Sequence, residues 1–482
     1  MASWDHEFAV DFVNEGHFYF VDPGPLHAPI QGFSLRRDQA LNLILETKAV
    51  KNATSTAAKH PSGTVRQATE TASLENVAKM KVMFSGVMPY QTRSTNDYKT
   101  GESEVVEEAK INAVEAVVRS ELEPANTIDW LENFPEKFFF WPDSIENESV
   151  TSITQKIGSD EDGITLFDED GSRSTSYAAL KCIVYGVEIY VCSLKKQPKS
   201  EIAKPGCIIY VGNSSKEFRK RVRTSISFIV SSYLIELGHA VYGKKWEIVS
   251  FESRSSYSIG RRVLDLPILP PAPTGVRFLH EIDRTNFTRL VTSIVQNYEA
   301  LDFGNMSWAY WHALCAAPHI ASVHFGAVIE MLLRKYKDMK PDTFPGSIIG
   351  DKSIWKSVMR QVENVVKELK IPEINKEALI KNIGALNRVH HRDTMSAILK
   401  NIGIELGDDE MRAWKRRNDA AHGIAIEVGE EFQVIRDVKL LKIVFHRILL
   451  RIIDGADAYY DYATPDFPVR KLAEPVPSAS EP

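Results

Sequence analysis

The chain has 482 residues, of which 44% are hydrophobic and 25% are charged, a composition that excludes a mainly disordered protein and allows two to three domains. Its 58 basic and 64 acidic residues give a net charge of −6, so any contact with nucleic acid requires a local basic patch. The four cysteines show no CxxC spacing, which argues against a zinc knuckle and fits a reducing compartment. No apolar run approaches 18 residues, so we expect a cytoplasmic protein without membrane contact.

The first 270 residues carry apolar side chains mostly at every second position, which predicts a β-rich region. Predicted strands lie at residues 8–13, 17–21, 79–84, 182–194 and 207–212. Polar stretches at 52–72 and 94–103 interrupt the strands and predict loops. Whether residues 1–270 form one unit or divide into 1–145 and 146–270 is left open.

One helix is predicted inside this β-rich region. Its apolar residues recur at helical spacing and are Phe218, Val222, Ile226, Ile229 and Tyr233. The basic residues of the same segment are Arg219, Lys220, Arg221 and Arg223. We favour a solvated basic face for them over a surface that binds RNA or a phage component. The densest aromatic cluster, residues 130–142, is expected in a core or an inter-domain contact.

Four prolines between residues 266 and 275 remove amide donors and fix φ, which predicts a domain boundary. Beyond them the apolar residues recur every three to four positions, which predicts an all-α bundle over residues 276–464. The predicted helical stripes cover residues 287–298, 320–331, 354–369 and 438–458. Residues 465–482, rich in Pro, Ser and Glu, are predicted to be a disordered tail.

A short basic helix is predicted between Gly407 and Gly423. Asp408 or Asp409 is the expected N-cap, and Gly423 follows the last turn. Residues 411–422 contain four basic residues and one acidic residue, which gives this segment a net charge of +3. This helix is therefore the local basic patch that the overall charge requires.

The chemistry of the helix depends on three side chains near its end. Asn418 and His422 are four residues apart and share a face, and Arg417 is long enough to reach the same side. An imidazole can exchange protons with the ribose 2′-OH and the leaving 5′-oxygen while a guanidinium holds the phosphate. These groups suit metal-free RNA cleavage by transesterification, which DNA cannot undergo. The spacing alone favours the alternative, a solvated basic face with a terminal histidine.

The motif Arg417-Asn418-Asp419-Ala420-Ala421-His422, late in an all-α domain, resembles the HEPN superfamily. The chain as a whole is similar to ApeA-like antiphage proteins, which join a β-rich region to a C-terminal HEPN domain. Segments 323–336, 205–223 and 130–142 add to this likeness. The resemblance implies a homodimeric endoribonuclease that causes abortive infection, with a phage-encoded trigger sensed by the N-terminal region.

The resemblance also assigns roles to individual residues. It implies that Arg417 and His422 are catalytic and that Asn418 fills the polar position beside the arginine. Arg416 is in register for a looser form of the motif, so the identity of the catalytic arginine stays open, and we favour Arg417. Lys415 and Arg416 are then expected to contact RNA.

Other patterns predict little chemistry. Residues 390–393 contain adjacent histidines that diverge by about 100° on a helix, so a metal site there is disfavoured. His312, His319 and His324 lie among apolar residues and are expected in a core or an interface. Neither GxxxxGK[ST] nor GxGxxG occurs, which argues against an ATP-driven machine. For the metal-free chemistry considered above, no cofactor and no metal is expected. The alternative function is an inactive HEPN-like module that binds nucleotide, RNA or protein, and a host regulatory protein shares the same features.

Overall fold

The computed structural model describes residues 7–54, 69–96, 103–135, 138–157, 164–196, 200–256, 261–275, 280–387, 389, 391–421 and 428–478. Within these ranges a β-rich N-terminal half is followed by a helical C-terminal region, which confirms the predicted α+β multidomain class. The chain divides into two compact units, the first formed by Met1–Ile268 with Thr274–Thr292 and the second by Leu269–Pro273 with Ser293–Pro482. The proline-rich run lies at this division. Most of the predicted loops at 52–72 and 94–103 lie outside the described residues.

The first unit contains an antiparallel sheet of eleven described strands. In spatial order they are β1 (Tyr19–Asp22), β4 (Thr71–Glu75), β5 (Lys81–Ser85), β8 (Ala113–Val117), β15 (Ile248–Arg254), β14 (Ile235–Tyr242), β9 (Asn126–Glu132), β13 (Gly206–Val211), β12 (Val187–Ser193), β11 (Ile164–Val184) and β10 (Asp143–Ile157). Strand β8 pairs with β15, and β9 pairs with both β13 and β14. A division of this region at residue 145 is therefore wrong, because one sheet interleaves strands from both sides of it.

The other elements of the first unit are a smaller sheet and short helices. The antiparallel smaller sheet has the order β2 (Ala28–Arg37), β3 (Leu43–Thr54), β7 (Ser103–Ile111) and β6 (Met88–Asn96). The helices are α1 (Phe8–Glu15), α2 (Lys216–Ile229) and a 3₁₀ helix (Arg261–Asp265). Helix α2 confirms the helix predicted at residue 218, and the Ser215 hydroxyl caps it by accepting a hydrogen bond from the Phe218 amide.

The strand predicted at residues 8–13 is wrong, because this segment forms α1. The rings of Phe8 and Phe12 both lie 5.2 Å from the ring of Phe251. Four residues rise about 6 Å in a helix but about 13 Å in a strand, so only a helix lets both rings contact one partner. The aromatic cluster at 130–142 contributes to the core of the same unit, where the buried rings of Phe134 and Trp141 stack at 5.2 Å.

The second unit is built mainly from helices. They are α3 (Arg284–Asn297), which crosses the division between the units, α4 (Phe303–Cys315), α5 (Pro318–Met339), α6 (Lys352–Glu368), α7 (Glu373–Ala385), α8 (His391–Ile402), α9 (Asp408–Ala421) and α10 (Glu431–Ile452). Helix α5 packs against α4, α9 and α10, and α10 is almost wholly buried from Leu440 to Leu450. The four predicted helical stripes correspond to α3, α5, α6 and α10. No helix in the described part of the chain is long and apolar enough to cross a membrane.

The disordered tail predicted for residues 465–482 is wrong for its described part, 465–478. Strand β17 (Val469–Lys471) pairs with β16 (Ala458–Tyr460), so the second unit also contains a small hairpin. Leu472 and Val476 are buried, and the Arg447 guanidinium donates hydrogen bonds to the carbonyls of Leu472 and Ala473. The segment is ordered because a buried arginine and a few apolar side chains fix it, despite its disorder-prone composition. Residues 479–482 lie outside the described ranges.

Candidate active site

Helix α9 carries the predicted basic motif. The Gly407 carbonyl accepts a hydrogen bond from the Met411 amide at 2.9 Å, and the Glu410 carboxylate accepts one from the Gly407 amide at 2.9 Å. This is the reach-back half of a capping box, so Gly407 is the N-cap, one residue before the predicted Asp408. The helix is described up to Ala421, and the buried side chains of Ala413 and Trp414 fix its inner face.

Arg417 points toward α5. Its Nη1 lies 2.6 Å from Oε1 of Glu330, and its Nε donates a hydrogen bond to the Trp414 carbonyl at 3.1 Å. The guanidinium carbon lies 3.6 Å from the centre of the Trp414 ring, a close cation–π contact. The Arg417 side chain is only 13% exposed, whereas that of Glu330 is 41% exposed. Three contacts therefore hold Arg417 in one position, and its ionic partner remains open to solvent.

Gly326 of α5 makes room for Arg417. A Cβ atom at position 326 would lie 2.6 Å from Cδ of Arg417 and 2.9 Å from its Nη1. Real carbon atoms do not approach this closely without displacement of one of them. The position of Arg417 against α5 therefore depends on a residue without a side chain.

Arg416 points toward α10 instead. Its Nη2 lies 3.0 Å from the Glu430 carboxylate and its Nε lies 3.6 Å from Asp437. Burial raises the pKa of Asp437, which a hydrogen bond from Gln433 and the charge of Arg416 partly offset. The side chains of the two neighbouring arginines therefore contact different helices, as expected for residues about 100° apart on a helix.

The remaining residues of the motif are described unequally. Lys415 is exposed and has no hydrogen bond or ion pair within the described part of the chain. The backbone of Asn418 belongs to α9, but its side chain lies outside the described residues, and so do His422 and Gly423. The structure thus brings Arg417 together with Glu330 and Trp414, while the predicted meeting of Arg417, Asn418 and His422 stays a prediction.

A cleft of about 460 Å³ adjoins Glu330. One wall is formed by α5, and the other by α8 and Val389, which precedes it in the chain. The described lining residues are Ala327, Glu330, Met331, Leu333, Arg334, Lys337, Val389, Thr394 and Met395. We call this space the α5/α8 cleft. The sequence analysis missed Glu330, Arg334 and Lys337. Their spacing of four and then three residues along the helix is the signal that places them on one face.

A buried ionic network lies on the first unit's sheet. Nε of Arg219 lies 2.9 Å and Nη1 of Arg223 lies 3.3 Å from the fully buried Asp129, and Nη2 of Arg223 lies 2.7 Å from Glu236. The solvated basic face predicted for α2 is therefore wrong for Arg219 and Arg223. These arginines have buried carboxylate partners on the strands beneath the helix, which is the condition under which charges are tolerated in a core.

The other candidate residues form no site in the described part of the chain. His319 and His324 are exposed, so their expected place in a core is wrong, and a place in an interface stays a prediction. The rings of His312 and Trp308 lie 4.0 Å apart at an angle of 55°. His390 and the side chain of His391 lie outside the described residues. No group of three or more described metal-ligating side chains is placed to hold an ion.

No protein-family model matches this chain, and no curated protein and no solved structure is significantly similar to it.

Proposed function

We propose that the protein is a metal-independent endoribonuclease of the HEPN type, with Arg417 and His422 as its catalytic residues. The observation that carries the proposal is the position of Arg417. Arg417 lies on the described stretch of α9 that leads to His422, and its contacts with Trp414 and with Glu330 of α5 fix its side chain. Glu330 also lines a cleft that contains two further cations. A preorganised guanidinium is the group that best stabilises charge developing on a transferring phosphate.

In the proposed reaction, the ribose 2′-oxygen attacks the neighbouring phosphorus and the bond from phosphorus to the 5′-oxygen breaks. His422 takes the proton of the 2′-OH, and the histidine of a second copy of the chain supplies a proton to the 5′-oxygen. Arg417 holds the non-bridging oxygens, and Asn418 orients the phosphate beside it. The products are a 2′,3′-cyclic phosphate and a 5′-OH end. Lys415, which is exposed on α9, and Arg416 contact the RNA on either side.

Binding of a phosphate requires Arg417 to exchange one partner for another. Its Nη1 is bound to Glu330, whose carboxylate is accessible to water, so RNA can displace it at modest cost. The contact with Trp414 is compatible with both states because cation–π stacking leaves the edge of the guanidinium free for bidentate phosphate binding.

We further propose that the enzyme acts in the cytoplasm as an antiphage effector, in which RNA cleavage arrests the growth of an infected cell. The acidic chain as a whole disfavours indiscriminate RNA binding, which fits a nuclease that is restrained until a phage-encoded trigger is sensed by residues 1–270. The active form in this proposal is a homodimer through the helical unit, because the proposed base and the proposed acid are the His422 residues of two copies.

The second candidate is a HEPN-like module that binds nucleotide, RNA or protein without cleavage. The observation that favours it is the pairing of both arginines, since Arg416 and Arg417 each have carboxylate partners within the helical unit. In that case the two side chains stabilise the packing of α9 against α10 and α5.

The deciding experiment is incubation of the full-length protein with total cellular RNA in EDTA. We compare the wild type with Arg417→Ala, His422→Ala and the control Arg360→Ala, which removes an exposed arginine of α6. We expect the wild type and the control to cleave the RNA and to leave 2′,3′-cyclic phosphate ends, and we expect no cleavage by Arg417→Ala or His422→Ala. A requirement for Mg²⁺ or cleavage by His422→Ala contradicts the mechanism. Inactivity that persists in phage-infected extract favours the binding module.

A further inference from the structure

The α5/α8 cleft contains two cations that have no ionic partner in the described part of the chain. Arg334 is exposed and Lys337 is half-buried, and neither side chain has an ion pair or a hydrogen bond among the residues that the structure describes. By contrast, Nζ of Lys335, on the same helix, lies 3.4 Å from the Asp302 carboxylate. Among the described lining residues of the cleft, Glu330 is the only carboxylate, and it is already bound to Arg417. The cleft is therefore a local positive site on a chain of net charge −6.

The remaining lining of the cleft is apolar with one hydroxyl. Met331 of α5 lines the cleft together with Met395 and Val389, and Thr394 supplies the hydroxyl. Thioether side chains adapt to flat aromatic groups and make favourable contacts with them. The volume of 460 Å³ lies in the range of pockets that enclose a small ligand or one unit of a polymer.

Glu330 connects this cleft to the catalytic arginine. Its carboxylate belongs to the cleft lining and also binds Nη1 of Arg417 at 2.6 Å. Arg334 and Lys337 follow Glu330 by one and two helical turns, about 6 and 10.5 Å along the axis. Adjacent phosphates of a single strand are separated by a distance similar to the first of these spacings. A strand whose one phosphate is bound by Arg417 can therefore place its next phosphate at Arg334 and Lys337.

We propose that the α5/α8 cleft binds one unpaired nucleotide of the RNA, with its phosphate held by Arg334 and Lys337 and its base against Met331 and Met395. The inference rests on the proposed function, because it places this nucleotide next to the phosphate held by Arg417. A base that enters the cleft cannot be stacked in a helix at the same time. The site therefore selects single-stranded RNA over duplex RNA.

The test is RNA binding by the full-length chain, measured by fluorescence anisotropy with a labelled 12-nucleotide single strand and with its perfect duplex. All proteins carry His422→Ala, so that binding is measured without cleavage. The test variant is Arg334→Gln with Lys337→Gln. The matched control is Lys356→Gln with Arg360→Gln, which removes the same two charges from the exposed surface of α6. A second test variant, Thr394→Tyr, fills the cleft and leaves both charges in place.

We expect the test variant to bind the single strand at least tenfold more weakly than the control. The slope of the logarithm of its binding constant against the logarithm of the salt concentration should be smaller in magnitude by about one unit. Thr394→Tyr weakens binding without this change of slope, and the duplex binds at least tenfold more weakly than the single strand. Equal binding by test and control variants overturns the inference, as does equal binding of duplex and single strand.

Cleavage assays without His422→Ala separate this inference from the proposed function. If the Arg334→Gln, Lys337→Gln protein cleaves RNA with an unchanged KM, the cleft inference is overturned and the nuclease stands. If the wild type binds the single strand through the cleft but never cleaves it, the nuclease is overturned and the cleft stands.

Discussion

Glu410 of α9 and Arg447 of α10 form an ion pair of 2.6 Å in which both side chains are fully buried. The remaining hydrogen-bonding capacity of the pair is also used. Arg447 donates to the carbonyls of Glu405 and Leu472, and Glu410 accepts from the Gly407 amide. One ion pair therefore fixes the start of the helix that carries the candidate catalytic residues.

We predict that Glu410→Ala destabilises the helical unit by about 3–5 kcal/mol, because it leaves the charge of Arg447 buried without a partner. Urea unfolding followed by circular dichroism at 222 nm measures the effect. The control is Glu368→Ala, which removes an exposed carboxylate at the end of α6 and should change the free energy of unfolding by less than about 0.5 kcal/mol. Equal stability of the two variants contradicts the structural role of the pair.

Gly326→Ala is predicted to separate stability from activity. The added methyl group meets the side chain of Arg417 and no backbone atom among its nearest described neighbours, so it displaces that side chain and the backbone of α5 is retained. Alanine favours a helix over glycine by about 1 kcal/mol. This gain offsets the loss of the partly exposed ion pair between Arg417 and Glu330, which is worth up to about 1 kcal/mol, so the free energy of unfolding changes little. Cleavage falls at least about tenfold because the guanidinium leaves its position.

The matched control for this substitution is Gly384→Ala in α7, where the only described atom within 4 Å of an added Cβ is the terminal methyl of Met359 at 3.8 Å. Thermal unfolding and RNA cleavage are measured on both variants. Unimpaired cleavage by Gly326→Ala shows that the observed position of Arg417 is irrelevant to catalysis.

The spacing of apolar residues predicts most of the helices, but it does not predict which distant residues they contact. The long stripes of α5, α6 and α10 repeat over several turns, so their period is clear from the sequence. Helix α1 has only eight residues, too few to distinguish a helical from an alternating pattern. The order of residues 465–478 depends on contacts with the distant Arg447.

The candidate site shows the same limit. Arg417 was found from its neighbours in the sequence, whereas its partner Glu330 lies 87 residues earlier. The burial of Arg219 is likewise decided by Asp129, 90 residues before it. Pairing between charges that are far apart in the sequence leaves no periodic signal. For this reason the sequence predicts a solvated basic face on α2, whereas in the fold Arg219 belongs to an ionic network.

Glu330→Gln is predicted to lower the KM for RNA by up to about fivefold, with little change in kcat. The neutral amide no longer competes with phosphate for Arg417, and half-exposed ion pairs of this kind contribute up to about 1 kcal/mol. Steady-state cleavage of a short single-stranded RNA measures both constants, with Glu368→Gln as the control. A rise in KM instead means that Glu330 is needed to hold Arg417 in its active position.

Lys442 gives a prediction on pH. It is buried on α10, its ammonium lies 4.9 Å from the centre of the Tyr462 ring, and burial together with the charge of Lys439 lowers its pKa to about 7. Burial and the charge of Lys442 also keep the pKa of the neighbouring His446 well below its ordinary value. An unfolded lysine keeps its proton up to about pH 10, so between pH 7 and 10 the unfolded state binds more protons than the folded state.

The stability of the helical unit should therefore rise with pH between about 7 and 10, and below pH 7 the folded state carries the full cost of a buried charge. Lys442→Met removes that cost and is predicted to stabilise the unit by about 1–4 kcal/mol at pH 6 and by progressively less toward pH 10. Urea unfolding at pH 6, 7.5 and 9 measures the dependence. Lys439→Met, which removes an exposed charge from the same helix, should keep the rise of stability with pH. If Lys442→Met also keeps that rise, the pH dependence comes from another group.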